Sequence, residues 1–276
     1  MKKYLLSFLF LSLSAMAFEM PENLTQGMLV YGRVEPDETV HYGELTAPVQ
    51  DGVFIIALGR NAPKKIELEI HKGGFWGFGE TVERKGFAVK PFDWSIDYVE
   101  GVPAKTVSPD KESLERVRRE QVILDNARAK RWRSGFPMCF EWPLKKEDRK
   151  RISSPFGWQR VYNGTPLRHH SGLDIAAATG TPVYATADGL VILAHDDLFY
   201  TGGTVLIEHG SGVQSGSSHL SQVLVKTGDE VKKGDLIGLV GMTGRATGPH
   251  LHFTLAWENI RFDPERVLQE TCPYTT

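Results

Sequence analysis

Cysteine, clustered positive charge and long apolar runs are all scarce in this sequence. Two of its 276 residues are cysteine, and the formal net charge at pH 7 is −2. Because no basic run interleaved with aromatic residues occurs, nucleic acid is not an expected partner. No segment reaches the ~20 apolar residues that span a bilayer, so we expect no stable membrane span in the mature chain.

The N-terminal segment MKKYLLSFLFLSLSAMA has the form of an export signal. Two lysines precede an apolar run at residues 5–13, and the Ala-Met-Ala at 15–17 has the small-x-small form that signal peptidase cuts. We therefore expect residues 1–17 to be a signal peptide. Export leads to an oxidising compartment, where Cys139 and Cys272 are expected to form a disulfide rather than a metal site.

Two β-rich regions flank one charged helix. Residues 18–105 carry short β-branched or aromatic runs between turn clusters, which predicts a small β domain. Ser108 and Pro109 offer an N-cap and a first-turn proline for a helical linker over residues 106–134. Residues 135–276 have short strands, glycine turns and no long helical period, which predicts a mostly antiparallel sheet with a groove on one face. The predicted fold class is therefore all-β.

The segment GPHLHF places two histidines on one face of a strand. Side chains two residues apart in a strand point the same way, so His250 and His252 share a face while Leu251 and Phe253 point into the core. Alone, this pair is weak evidence for a metal. The outward face of a half-buried strand also carries polar residues at every second position.

A second segment, HHSGLDIAAATGTPVYA, strengthens the metal hypothesis. His170 and Asp174 are an even number of residues apart, so they share a face if the segment is extended. With His252 they supply two imidazoles and one carboxylate, the ligand set of a catalytic zinc site that keeps its fourth position for water. Such a centre keeps a net positive charge and brings the pKa of a bound water toward ~7, which favours a hydrolase.

Two further histidines are candidates for acid–base and oxyanion roles. The sequence has no HExxH glutamate, but His250 lies beside the expected ligand and His219 lies in SSHLSQ. Taken alone, His219 could equally be a strand histidine paired with a hydroxyl group.

The segments HHSGLDIAAATGTPVYA, SSHLSQVLVKTGDEVKKGDLIGLVG and TGRATGPHLHF resemble the lysostaphin-like (LytM-type) zinc metallo-endopeptidases, which cut peptide cross-links in bacterial peptidoglycan. The resemblance covers about residues 140–267. It implies one zinc ion per chain, held by His170, Asp174 and His252. It also implies that His219 and His250 flank the attacking water and the tetrahedral oxyanion.

The resemblance also sets expectations for location and partners. A β domain followed by a helix is similar to a secreted proteobacterial subgroup of these peptidases, which implies a periplasmic enzyme acting on peptidoglycan stem peptides. We expect the β domain to modulate access, or to dock an envelope protein partner, and to add nothing to the chemistry. Two alternatives stay open: a non-catalytic envelope regulator that activates cell-wall amidases, and a peptidoglycan-binding module with structural zinc.

Other residues near the motifs carry weaker expectations. Ser217 stands where many family members have an aromatic residue, which predicts a smaller and more polar groove wall. Arg160 and Arg245 are candidates to line the groove and meet stem-peptide carboxylates, with solubilising surface arginines as the alternative. Three further histidines are left outside the site, namely His169, His195 and His209.

Overall fold

The structure is a computed structural model that describes residues 18–73, 81–102, 107–133 and 135–269. The expected signal peptide, residues 1–17, lies outside these ranges, as does Cys272. Within the described ranges, no helix has the length and apolar character needed to cross a membrane.

The first part of the described chain is built from short strands. They are β1 (Leu24–Thr25), β2 (Leu29–Arg33), β3 (Glu38–Tyr42), β4 (Leu45–Ala47), β5 (Val49–Gln50), β6 (Val53–Ala57), β7 (Lys65–Lys72), β8 (Thr81–Lys90) and β9 (Ile96–Val99). One sheet has the order β1-β8-β7-β3-β4, and a second has the order β2-β6-β5. In β7, Ile66, Leu68 and Ile70 are buried between exposed or half-buried charged residues, which is the period-two pattern of a strand with one face in the core.

One α-helix, α1 (Lys111–Arg128), follows these strands in the described chain. Its N-cap is Asp110 rather than the expected Ser108, because the Asp110 carboxylate accepts a hydrogen bond from the Ser113 amide at 2.8 Å. A charged acceptor at this position also interacts favourably with the positive end of the helix dipole. The predicted linking helix is therefore present, and it begins two residues later than its sequence signals indicate.

The second part of the described chain contains the largest sheet. Its strands are β10 (Phe140–Glu141), β11 (Arg151–Ser154), β12 (Gln159–Tyr162), β13 (Thr165–Pro166), β14 (Leu173–Ala176), β15 (Pro182–Tyr184), β16 (Gly189–Leu198), β17 (Gly202–Glu208), β18 (Val213–Val223), β19 (Glu230–Val231), β20 (Leu236–Val240), β21 (His250–Trp257), β22 (Ile260–Phe262) and β23 (Leu268–Gln269). Short 3-10 helices span Lys146–Asp148 and Pro264–Arg266.

Ten of these strands form one antiparallel sheet. Seven follow the order β11-β14-β21-β18-β17-β16-β19, with β20 paired to β18 and β15, and β22 paired to β21. The predicted all-β, mostly antiparallel architecture is confirmed. Besides β1 with β8, two further parallel pairs lie outside this sheet in the described chain: β10 pairs with β23, and β9 pairs with β12. The second of these joins a strand that precedes α1 to a strand that follows it.

A single apolar core connects the two β-rich parts. Phe54 and Ile56 of β6 belong to the same buried cluster as Leu251 and Phe253 of β21. Strand β6 packs against β21 and β22, which accounts for this continuity. A smaller cluster fixes the helix, because Ala127 packs with apolar side chains of β16 and β17.

We predict that Cys139 and Cys272 form a disulfide. Cys139 immediately precedes β10, which is paired in parallel with β23, and β23 ends three residues before Cys272 in the sequence. The disulfide would close a loop that contains nearly the whole second part of the chain. Closing a loop of this length stabilises a fold by on the order of 4 kcal/mol in the chain-entropy model, less any strain. Thiol titration of the unfolded, unreduced protein should find no reactive thiol, and two reactive thiols per chain would refute the bond.

Candidate active site

The pairing of β14 with β21 places a carboxylate directly opposite a histidine. In this antiparallel ladder Asp174 is the register partner of His252. Their neighbours Leu251 and Phe253 are fully buried, so the alternation expected for the HLH segment is confirmed. The outward face of β21 therefore carries His250 and His252, and Asp174 points to the same face from the adjacent strand.

His170 reaches the same point from a loop rather than from the strand. Strand β14 begins at Leu173, so Asp174 lies in the strand while His170 precedes it, and the extended segment assumed for this pair does not reach His170. The loop crosses β21 closely at Gly172, where a Cβ would lie 2.4 Å from the Phe253 carbonyl oxygen. Only glycine allows this approach, which brings the His170 ring to within 4.9 Å of the His252 ring, centroid to centroid.

Three ligand atoms of these residues form a compact triangle. The His170 Nε2 atom lies 3.0 Å from Asp174 Oδ1 and 3.0 Å from His252 Nδ1, and the latter two atoms are 2.7 Å apart. Tetrahedral ligands at zinc distances of 2.0–2.1 Å are separated by about 3.3 Å. With a small shift of each side chain the triangle would fit a divalent metal. Among the described residues, these three form the group of His, Asp, Glu and Cys side chains that could hold a metal ion.

Hydrogen bonds set which ring nitrogen of His170 faces the triangle. The His170 Nδ1–H donates to the Pro155 carbonyl at 2.8 Å, which leaves the Nε2 lone pair directed at the other two ligand atoms. The side chain is almost completely buried, so this orientation is fixed by its surroundings.

Asp174 is held as an anion in a buried position. Burial raises the pKa of this carboxyl group, but His170 and His252 outweigh burial through charge and hydrogen bonds and hold the pKa well below its usual range. The second carboxylate oxygen, Oδ2, accepts a hydrogen bond from Arg160 Nη2. Oδ1 is therefore the atom that faces the triangle.

A β-bulge turns His219 into the site. Ser218 is the register partner of His252, so regular alternation would direct the next side chain to the opposite face. The register of β18 with β17 shifts between Gly203 and Val205, and His219 adopts a φ of 64°. This left-handed conformation is uncommon for a residue other than glycine. It redirects the imidazole toward His250, as bulges beside functional sites often do.

His219 and His250 present equivalent nitrogen atoms to the site. Their ring centroids are 4.7 Å apart. Each Nδ1–H donates at 2.8 Å to a main-chain carbonyl, that of Thr243 for His219 and that of Gly248 for His250, so Nε2 is the ring nitrogen directed at the site. Burial lowers the pKa of His219 to about 4, so this ring is neutral at pH 7 and can accept a proton.

The three histidines that were left outside the site are not part of the ligand triangle. His209 is buried, with Nδ1 bonded to the Asp188 carbonyl and Nε2 to Ser215 Oγ, each at 2.8 Å. His195 Nδ1 accepts a hydrogen bond from an exposed main-chain amide. His169 lines the cleft, but its side chain is not part of the ligand triangle.

Ser217 does not form the groove wall. It is 2% exposed and is the register partner of Phe253, whose side chain points into the core. The expectation of a smaller and more polar wall at this position is therefore wrong, because residues opposite each other in a ladder share a face and Phe253 faces away from the cleft.

The cleft at the site has a volume of about 1000 Å³ and is lined by both parts of the chain. Arg245 lies over the ring of Tyr200 at 4.6 Å from its centroid. Arg160, by contrast, is turned toward Asp174 and Tyr162. The arginines that line the cleft are Arg60, Arg160, Arg168, Arg245 and Arg261, and no aspartate or glutamate occurs among its described lining residues.

A β-sheet domain with two imidazoles and one carboxylate converging beside two further histidines defines a metallopeptidase. Residues 168–264 match the sequence model of Peptidase family M23. The match includes all five residues expected at the site, from His170 to His252. The family resemblance seen in the sequence is confirmed.

Known proteins resemble both the M23 region and the whole fold. The peptidoglycan DD-endopeptidase ShyA of Vibrio cholerae is 41% identical over 124 residues, which is 45% of this chain and 28% of ShyA. The DD-carboxypeptidase/endopeptidase Mpg of Neisseria meningitidis is 46% identical over 107 residues, 37% of this chain and 24% of Mpg. The matched region is thus about a quarter of these curated relatives. A crystal structure from Pseudomonas aeruginosa assigned to peptidase M23 is 28% identical, with a TM-score of 0.65 over 90% of this chain and 96% of that one.

Proposed function

We propose that this chain is a zinc-dependent endopeptidase that hydrolyses peptide cross-links of peptidoglycan in the cell envelope. The observation that carries the proposal is the convergence of His170, Asp174 and His252 into one ligand triangle beside His219 and His250. Retention of all five side chains distinguishes this chain from a regulator that lacks its metal ligands. The convergence of two extra imidazoles on one open side argues against a purely structural metal, whose site would be closed by a fourth ligand.

The metal in this proposal is one zinc ion per chain. His170 through Nε2, Asp174 through Oδ1 and His252 through Nδ1 would hold it, since these atoms already lie within 3.0 Å of one another. Nitrogen and carboxylate ligands in a three-residue set are typical of catalytic zinc. When bound, zinc supplies Lewis acidity that polarises a carbonyl group and lowers the pKa of a water molecule.

His219 and His250 would carry the proton transfers. As a neutral ring with a free Nε2, His219 can take a proton from the attacking water and return it to the leaving amine. Once it carries a proton on Nε2, a ring of this pair can donate a hydrogen bond to the negative charge that develops on the scissile carbonyl oxygen, and His250, 4.7 Å away between ring centroids, is placed to do so. The structure makes the two rings equivalent in hydrogen bonding, so the acid–base and oxyanion roles are proposed for the pair.

The charge of the cleft supports a peptide substrate with free carboxylates. Arginines line it, and no described aspartate or glutamate does, so an anionic ligand is favoured over a cationic one. The relatives named as peptidoglycan peptidases support stem peptides as that substrate. Arg245, which lines the cleft over the ring of Tyr200, is a candidate for contact with a substrate carboxylate.

We further propose a periplasmic location and a division of the chain into four segments. Residues 1–17 would be the signal peptide, 18–105 a small β domain, 106–134 a helical linker and 135–276 the peptidase domain. The named relatives act on peptidoglycan, which fits an exported protein. The β domain forms part of the cleft through Arg60, which supports a role in access to the site or in docking an envelope protein.

Digestion of purified sacculi with and without a chelator tests the proposed function. We expect new peptide termini, identified by mass spectrometry, in the untreated digest, none after metal removal, and recovery on adding zinc. Digestion that continues undiminished in a metal-free sample would refute metal-dependent cleavage. Absence of any cleavage by a zinc-loaded protein would favour the regulator or the binding module.

A further inference from the structure

Strand β9 brings a carboxylate from the N-terminal part of the chain to the metal site. Ile96–Val99 pairs in parallel with Gln159–Tyr162, and Asp97 is the register partner of Arg160. Directly opposite residues of two paired strands lie side by side, so Asp97 and Arg160 are neighbours. The expectation that the N-terminal part adds nothing to the site has to be reconsidered at this residue.

Asp97 connects to two of the three expected ligands through two side chains. Its Oδ2 accepts a hydrogen bond from Ser154 Oγ at 2.8 Å, and Ser154 Oγ lies 3.3 Å from His170 Nδ1. Arg160 Nη2 donates to Ser154 Oγ at 3.1 Å and also to Asp174 Oδ2. Asp97 therefore stands at one end of a short network whose other end is the ligand triangle.

Most of this network is shielded from water. Ser154 is buried, and the side chains of Asp97 and Arg160 are 21% and 15% exposed. Hydrogen bonds and charges are screened less in such surroundings than at the surface. Removing the charge of Asp97 is therefore expected to alter the position and the electrostatic surroundings of the Asp174 carboxylate.

The positive charge of Arg160 lies between two carboxylates, those of Asp97 and Asp174. Arg160 forms ion pairs with Asp97, with Nε at 3.9 Å from Oδ2, and with Asp174. Without Asp97, the Arg160 guanidinium group would repel a divalent cation bound to Asp174, and no second carboxylate beside Arg160 would offset its charge. With Asp97, Arg160 can orient Asp174 while its positive charge is offset.

We propose that Asp97 is a positioning residue of the metal centre: it offsets the charge of Arg160, which orients Asp174, and it acts on His170 through Ser154. The inference rests on the proposed metal-binding role of the triangle. Outer residues that orient metal ligands typically change metal affinity by roughly 10–100-fold when they are removed.

The zinc affinity of the full chain, measured by competition with a chromophoric chelator, tests this proposal. We expect Asp97→Asn to weaken the zinc Kd by roughly 10–100-fold. Asp93→Asn is the matched control, because Asp93 is exposed on the same segment, and its Kd should equal that of the unmodified chain. Thermal unfolding of each metal-free protein separates a loss of affinity from a loss of folding.

A second pair of variants separates charge balance from a merely structural role. Asp97→Asn combined with Arg160→Gln should bind zinc more tightly than Asp97→Asn alone, since both members of the pair are then neutral. Asp97→Glu, which keeps the charge, should retain most of the affinity. If Asp97→Asn proves unstable, Ser154→Ala replaces it and should also weaken zinc binding.

The outcomes distinguish this inference from the proposed function. An unchanged Kd in a folded Asp97→Asn protein, or losses that simply multiply in the double variant, would overturn the role of Asp97. If the unmodified chain itself binds no zinc, it is the proposed function that fails.

Discussion

Replacing His252 by alanine is expected to remove both the bound zinc and the peptidase activity. His252 Nδ1 lies 2.7 Å from Asp174 Oδ1 and 3.0 Å from His170 Nε2, so it occupies one corner of the ligand triangle. The nearest other imidazole, His250, has its Nε2 3.8 Å from Asp174 Oδ1 and its Nδ1 bonded to a carbonyl. Two ligands hold zinc much more weakly than three.

Elemental analysis beside cleavage rates on cross-linked muropeptides provides the measurement. His41→Ala is a suitable control, because His41 lies in β3 and contacts His71 rather than the site. It should keep about one zinc per chain and full activity. A His252→Ala protein that still carries stoichiometric zinc would show that the ligand set is assigned wrongly.

Replacing His250 by alanine is expected to leave zinc in place while turnover falls by roughly 10²–10⁴, the usual effect of removing a positioned acid–base or oxyanion group. The same result is expected for His219. Because both rings would serve one transition state, the double variant should be much less impaired than the product of the single effects.

The backbone at His219 calls for a second variant. At a φ of 64° alanine is strained, whereas asparagine tolerates this region. His219→Asn therefore removes the imidazole with the smaller backbone effect, and it should lose as much activity as His219→Ala. If His250→Ala loses zinc as completely as His252→Ala, both histidines are ligands and the division of roles is wrong. If all variants still cleave, the activity lies elsewhere in the chain.

The alternation of side chains along a strand was sufficient to predict on which face of the sheet His252 and Asp174 lie. The alternation in β21 and β14 fixes the faces of His252 and Asp174, because a strand repeats every two residues whatever its partners are. His219 was different. Its orientation depends on a bulge against β17, so only the family resemblance, and not the spacing in SSHLSQ, indicated it.

Residues brought together by distant pairing could not be predicted. Asp97 meets Arg160 through a parallel pair between strands on either side of α1, and nothing in either segment specifies that partner. The sequence predicts that His170 faces the same way as Asp174 because the two are an even number of residues apart. In the structure, His170 is positioned instead by the loop that crosses β21 at Gly172. The face of Ser217 likewise required the register with Phe253.

Through the core shared by β6 and β21, a metal bound at the ligand triangle would stabilise parts of the molecule that it does not contact. Since buried side chains of the two halves belong to one cluster, the N-terminal strands cannot unfold without exposing the back of the sheet that carries His252. A ligand that binds only the folded state stabilises the whole cooperative unit, by about 2.7 kcal/mol at a free concentration 100 times its Kd. Metal binding at the ligand triangle should therefore slow proteolytic cleavage in the distant β-hairpins of the N-terminal half. Protease resistance of these hairpins would then report how much of the protein carries metal.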